Sequence, residues 1–209
     1  MRFIKYFLTT LSLFTGLNGK NMKQVQNIGL DNVELLDIYI HENLAFVPGG
    51  LGGLNILDIS DPNDVHVISE YSAYGCDYGR LYAWTVSGNF AYGAGRECGI
   101  KIIDISSPSN PTLLAVLATS GSARDLDKVG NYIIVAVGAA GVDLINVSDP
   151  ENPIFVDNYN TTGFASRISA SNSLIAVSDW DDVEVLQISD NELSRVGIKN
   201  NGHPIHHFP

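Results

Sequence analysis

The sequence predicts an all-β chain folded as a β-propeller of four repeats of about 42 residues, each a four-stranded antiparallel blade, in an incomplete ring. Three observations predict it. First, one segment recurs: GLNILDISDPND at 53–64, GIKIIDISSPSNP at 99–111, GVDLINVSDPENP at 141–153 and a worn DVEVLQISDNEL at 182–193. Two markers recur in step, Asp58, Asp104, Asn146 and Gln187, and Asn43, Asn89, Asn131 and Asn172, both spaced 46, 42 and 41. Second, no 3.6-residue apolar period runs through the units. Third, the quoted segment is apolar on both faces. With the period of 2 of a strand, Ile100 and Ile102 point one way and Ile103 and Ile105 the other, so both sides must be covered. A blade between two neighbours satisfies this; a two-layer sandwich with one wet face per sheet does not.

The elements follow in chain order. MRFIKY carries two cations and FLTTLSLFTGL is an apolar run. Together they read as a secretory signal peptide over 1–19, with cleavage after Gly19. The run is too short to span a bilayer, which takes about 20 apolar residues. Residues 20–30 contain KQVQNIG, a linker or a stray outer strand. The propeller occupies 31–199, with blades at about 31–73, 74–119, 120–161 and 162–199. Within a unit the first strand ends at Gly88-Asn89, Gly130-Asn131 or Ser171-Asn172, where tight turns want residues that tolerate φ > 0. The second strand follows as FAYGA (90–94), YIIVAV (132–137) and LIAVS (174–178). A glycine-rich or acidic loop leads to the quoted third strand. Asp61-Pro62, Ser107-Pro108 and Asp149-Pro150 then supply turn chemistry. The fourth strand opens with Pro111 or Pro153, which suits an outer edge. NNGHPIHHFP, 200–209, reads as a flexible tail. It holds His203, His206 and His207, which a metal would find attractive only if the tail were ordered. KQVQNIG is one outer strand too many for four closed blades. The ring is therefore expected to be cut short at its C-terminus, exposing Leu35 or Leu36 of the first blade and Val183 or Val185 of the last, whichever side faces outward.

The three stronger copies, each preceded by a Gly-Asn turn and a YIIVAVG-type strand, resemble the LVIVD-repeat proteins. These are β-propeller-like proteins of bacterial and archaeal cell surfaces. The resemblance covers about residues 31–198, and the fourth copy lacks the proline. It implies a propeller and a secreted, periplasmic or cell-surface location, and it carries no catalytic motif.

Composition narrows the function. The formal charge is −11, and without residues 1–19 the balance is 23 acids against 10 bases, or −13. Nucleic acid is excluded as a partner, since phosphate binding needs clustered cations. No later stretch is long and apolar enough for a transmembrane segment. GxSxG, P-loop, HExxH and CxxC motifs are missing, so neither a catalytic residue nor a cofactor is assigned. In a propeller the fourth-to-first and second-to-third loops share one face. On it lie Arg80, Arg96, Arg124 and Arg167, with Tyr78, Trp84 and Trp180 as aromatic surface and Asp77, Asp179, Asp181 and Asp182 as acceptors. Arginine forks beside aromatic planes suit carboxylates, sulfates or acidic sugars. Equally, the arginines pair with acids such as Asp125 and hold blades together. A cation site at Asp179, Asp181 and Asp182 is conceivable, but its spacing lacks the glycine of a known loop, and no metal site is assigned. Cys76 and Cys98 fall in loops of the same face and are expected to form a disulfide. Three functions remain open: an interaction module binding a protein or glycan, with self-association through open blade faces; a propeller hydrolase or lyase acting on an anionic polysaccharide; and a structural assembly unit.

Overall fold

The computed structural model describes residues 9–15, 23–30, 37–49, 53–72, 81–180 and 182–200. Its local rules are those of the repeat markers. Asp58, Asp104 and Asn146 each accept, through Oδ1, the N–H of the serine two residues on, Ser60, Ser106 and Ser148, at 2.8 Å. These Asx turns end the third strand. The asparagine marker closes the same end of the sheet. The carbonyls of Asn43, Asn89 and Asn131 accept the N–H of Ile59, Ile105 and Val147, each at 2.8 Å. The two markers recur in step because they are bonded across one ladder.

The fourth unit departs from the sequence reading here. Positive φ falls on Glu42 (53°), Gly88 (58°), Gly130 (55°) and Asn172 (56°). Asn172 therefore takes the first turn place, not the second. Ser173 takes the second, and its carbonyl accepts Ile188 N–H at 2.9 Å. The loop between the second and third strands is consequently one residue shorter in the fourth unit than in the third.

Four sheets follow from these turns. The first holds β3 (Tyr39–His41), β4 (Leu44–Gly49), β5 (Gly53–Asp58) and β6 (His66–Ser72). The second holds β7 (Ala83–Ser87), β8 (Phe90–Ala94), β9 (Ile100–Asp104) and β10 (Thr112–Leu117). The third holds β11 (Asp125–Val129), β12 (Tyr132–Ala136), β13 (Val142–Asn146) and β14 (Ile154–Tyr159). The fourth holds β15 (Arg167–Ser171), β16 (Leu174–Ser178), β17 (Asp182–Ser189) and β18 (Glu192–Asn200). Each is a four-stranded antiparallel sheet with its strands in chain order, and no helix forms among the described residues. The first strands lie against one another, β3 by β7, β7 by β11 and β11 by β15, and the fourth strands form the outer edges. Every third-to-fourth pairing breaks register at the same place, between Ile56 and Leu57, Leu113 and Ala115, Leu144 and Ile145, and Val185 and Leu186. Such bulges twist an edge strand and blunt it against further pairing.

The core is a series of blade interfaces. Phe46, Leu54 and Ile56 of the first sheet pack with Trp84, Val86 and Ile103 of the second. Tyr92, Ile100 and Ile102 meet Leu126, Ile133 and Val135. Ile134, Val142 and Leu144 meet Ile175, Val177 and Leu186. The alternation seen in the third strand is thus used on both sides, and each fully buried aliphatic contributes roughly 1.5–3 kcal/mol. Carboxylates reinforce the interfaces: Asp125 and Asp127 of β11 accept the N–H groups of Ile168 (2.9 Å) and Ala170 (2.8 Å) of β15.

The two ends differ. Part of the run expected as a leader forms β1 (Thr9–Thr15), which pairs antiparallel with β2 (Lys23–Leu30). Ile28 and Leu30 of β2 pack on Ala45, Val47 and Leu57 of the first sheet. The stray strand therefore covers the first blade and completes no other sheet. The far face of the fourth sheet is open: Leu174 and Val183 are 49% and 40% exposed. Leu35 and Leu36 lie outside the described residues.

Candidate functional site

The loop face is stitched by backbone. Arg96, in the loop of the second blade, exchanges both hydrogen bonds with Ala123 at the start of the third, each 2.9 Å. Gly138 does the same with Ala165, at 3.0 and 3.1 Å. Arg96 and Gly138 have φ of 53° and 67°, and Trp180, at the matching place in the fourth blade, has φ 80°. Left-handed backbone costs a non-glycine residue about 1 kcal/mol or more, and this loop imposes it on an arginine and a tryptophan.

These side chains form two stacks. The Arg96 guanidinium lies over the Tyr82 ring, 4.7 Å from its centroid. The Arg124 guanidinium lies over Phe164 at 4.5 Å, and Phe164 stacks on Trp180 with centroids 4.5 Å apart. Glycine at 138 makes room, because a Cβ there would sit 2.9 Å from the Phe164 ring. The Nε atoms of both arginines are buried without a hydrogen-bond partner. Among the described residues neither arginine makes an ion pair, so the expected pairing with acids does not apply to them. Arg167, exposed at the start of β15, does act on an acid: its charge offsets part of the upward shift that burial imposes on the Asp125 carboxyl.

Other expected members separate. Trp84 is core, 3% exposed, with its ring against Gly93. Arg80, Cys76, Tyr78, Asp77, Asp181 and the three tail histidines lie outside the described residues. Cys98 is described, in the Arg96 loop.

Beneath the second stack lies an acidic cluster. Asp179, Asp182 and Glu184 are all buried, and one ligand oxygen from each lies within 4.8 Å of the others. Thr162 N–H donates to Glu184 Oε1 (2.7 Å) and Gly163 N–H to Asp179 Oδ2 (2.9 Å). The Tyr159 hydroxyl donates to Glu184 Oε2 (3.1 Å), and Arg195 Nη1 lies 3.4 Å from the same atom. Burial, and then the neighbouring Asp182, push the Asp179 carboxyl up to about 7. Sequence reasoning missed Glu184. In DVEVLQ the alternation of Asp182 and Glu184 with valines passes for the solvent side of a strand. The available signal was the repeat itself, since Asn55, Lys101, Asp143 and Glu184 fill one buried polar place in the four third strands.

A family model for the LVIVD repeat matches residues 36–72, 83–119 and 120–161, more than half of the chain. No curated protein matches the sequence. Several solved structures resemble the fold. A protein of unknown function from Desulfotomaculum acetoxidans superposes with a TM-score of 0.79 at 17% identity, over 94% of this chain and 65% of that one. The computationally designed proteins Ika4 and Ika8 superpose with TM-scores of 0.62 and 0.61, each at 10% identity. The match covers 75% of this chain and 92% of Ika4, and 78% of this chain and 48% of Ika8. At these identities the likeness concerns the fold alone.

Proposed function

The chain belongs to the LVIVD repeat family, and from that premise we propose that it is a secreted or surface-exposed interaction module that binds an acidic glycan on its loop face. The observation that carries this reading is the pair of stacks, Arg96 over Tyr82 and Arg124 over Phe164 and Trp180. A guanidinium fixed over a ring presents a planar fork at little further entropic cost, which suits carboxylate or sulfate. The exposed Trp180 ring beside it offers a flat apolar surface of the kind sugar rings cover.

Sulfated or uronic-acid oligosaccharides are expected to raise the thermal midpoint. Arg124→Ala is expected to weaken binding about tenfold or more, the usual consequence of losing a charged hydrogen bond, and Trp180→Gly to weaken it while relieving the strained backbone. An unchanged midpoint across a broad panel of acidic oligosaccharides overturns the reading. Turnover of a bound polysaccharide would promote the enzyme alternative.

Export is part of the same proposal, and so is a Cys76–Cys98 disulfide. Among the described residues no cysteine is a free thiol, which supports the pairing. Without prior reduction, neither cysteine is expected to take a thiol label in the denatured protein, and reduction is expected to cost about 3 kcal/mol by the loop-entropy relation. Labelling of both cysteines would remove the disulfide.

A further inference from the structure

We propose that Asp179, Asp182 and Glu184, with the Thr162 hydroxyl, bind a hard divalent cation, calcium by its ligand chemistry. The inference stands independently of the glycan reading. It starts from what the third blade does at the same places. There Val137 N–H donates to the Gly141 carbonyl at 2.8 Å, as Asp179 N–H does to the Asp182 carbonyl at 3.3 Å. Ser120 N–H donates to Asp143 at 2.7 Å, as Thr162 N–H does to Glu184 at 2.7 Å. So a valine, a glycine and one aspartate close the loop of the third blade. Asp143 is fully used by Ser120 N–H and Asn158 Nδ2. The fourth blade keeps the one carboxylate that the loop needs and adds two that it does not.

The added carboxylates are incompletely partnered. Asp179 and Asp182 are 0% and 6% exposed, yet Oδ1 of each is buried with no hydrogen-bond partner. The hydroxyl of the adjacent Thr161, 5% exposed, is likewise unpartnered. Thr162 Oγ1 lies 3.4, 3.3 and 3.0 Å from oxygens of Asp179, Asp182 and Glu184. Its single proton can serve one of them, leaving two oxygen pairs in contact with nothing positive between. Among the described residues the cluster's only ion pair is Arg195 with Glu184. Buried carboxylates require a compensating charge, and three of them beside one guanidinium leave room for a charge of two.

The donors also define the ion. All are oxygens, with no imidazole or thiolate to favour zinc. Ligand atoms within 4.8 Å of one another meet the limit that a shared ion sets, twice the calcium–oxygen distance of about 2.4 Å. Magnesium wants a tighter octahedron and retains its waters.

The test uses the full chain stripped with a chelator and then titrated with calcium chloride. Calorimetry should show a single site. At calcium about a hundredfold above its dissociation constant, the midpoint should rise by roughly 5–10 °C, with magnesium giving less. Terbium should bind in calcium's place and luminesce on excitation of Tyr159 and Trp180. Asp179→Asn should abolish all three signals while remaining at least as stable as the wild type in chelator, because it removes a buried charge. The absence of heat, midpoint shift and terbium luminescence in the folded wild type overturns the proposal. So does an Asp179→Asn protein that responds to calcium as the wild type does. Anion binding by the arginine stacks, measured in chelator, is unaffected by either result.

Discussion

Asp125 illustrates how much one side chain carries at a blade interface. It accepts Leu126 N–H at 3.0 Å and, from the next blade, Ile168 N–H at 2.9 Å. Asp125→Ala should cost roughly 1–3 kcal/mol in chemical denaturation, because it strands the Ile168 donor. Burial raises its pKa, the hydrogen bonds and Arg167 oppose the rise, and Asp37 adds to it. A carboxyl whose pKa is raised on folding burdens the folded state when it is ionised. The burden is complete above the folded pKa and disappears as pH falls to the unfolded value of about 3.9. Asp125→Asn should therefore compare best with the wild type at neutral pH and lose ground on acidification. A stability difference independent of pH would assign the shift elsewhere.

Single residues were legible in the sequence where they act on their own neighbourhood. Asp58, Asp104 and Asn146 make their turns with the residue two positions on, and that chemistry is written locally. Trp84 was not legible. Its burial is decided by the space above Gly93 on an adjacent strand, and no spacing announces that an aromatic in a loop-facing segment turns inward. Glu184 was hidden for the same reason, since its partners Tyr159 and Arg195 come from β14 and β18 and Thr162 from the loop before β15.

At the scale of the element, the third strands were read correctly because a strand with two apolar faces admits few environments. Their second-strand partners extend the argument. Ile134 of β12 is fully buried between blades, whereas Ala176, its counterpart on β16, is exposed. Ile134→Ala should cost about 2–5 kcal/mol, the usual range for emptying a core site. Ala176→Lys should stay within about 0.5 kcal/mol, as exposed substitutions do. Urea titrations of the two variants decide the point, and a comparable loss in both would mean that the fourth sheet is covered on its far side. The shortened fourth-unit loop was out of reach of the sequence, because Ser171-Asn172 imitates the Gly-Asn pair one residue early. Only the φ values and the Ser173 carbonyl reveal the slip.

For the whole molecule the question is which apolar faces remain. The first blade carries β2, with Ile28 and Leu30 on Ala45, Val47 and Leu57. The fourth blade exposes Leu174 and Val183 on its far face. Head-to-tail association would need two different open faces and could grow without limit, whereas a single open face can pair only with its own copy, which closes at two. The expected assembly is accordingly a dimer through the fourth sheet. A net charge of −11 opposes the approach of two copies, so added salt should strengthen the dimer by screening. Sedimentation velocity across a range of concentrations should show monomer and dimer and nothing larger. Leu174→Lys and Val183→Lys should shift the protein to monomer with little loss of stability, because both side chains are already nearly half in water. Species growing beyond the dimer would mean that the cover on the first blade is displaced. A monomer at every concentration, in high salt as in low, would mean that water suffices to cover the fourth face.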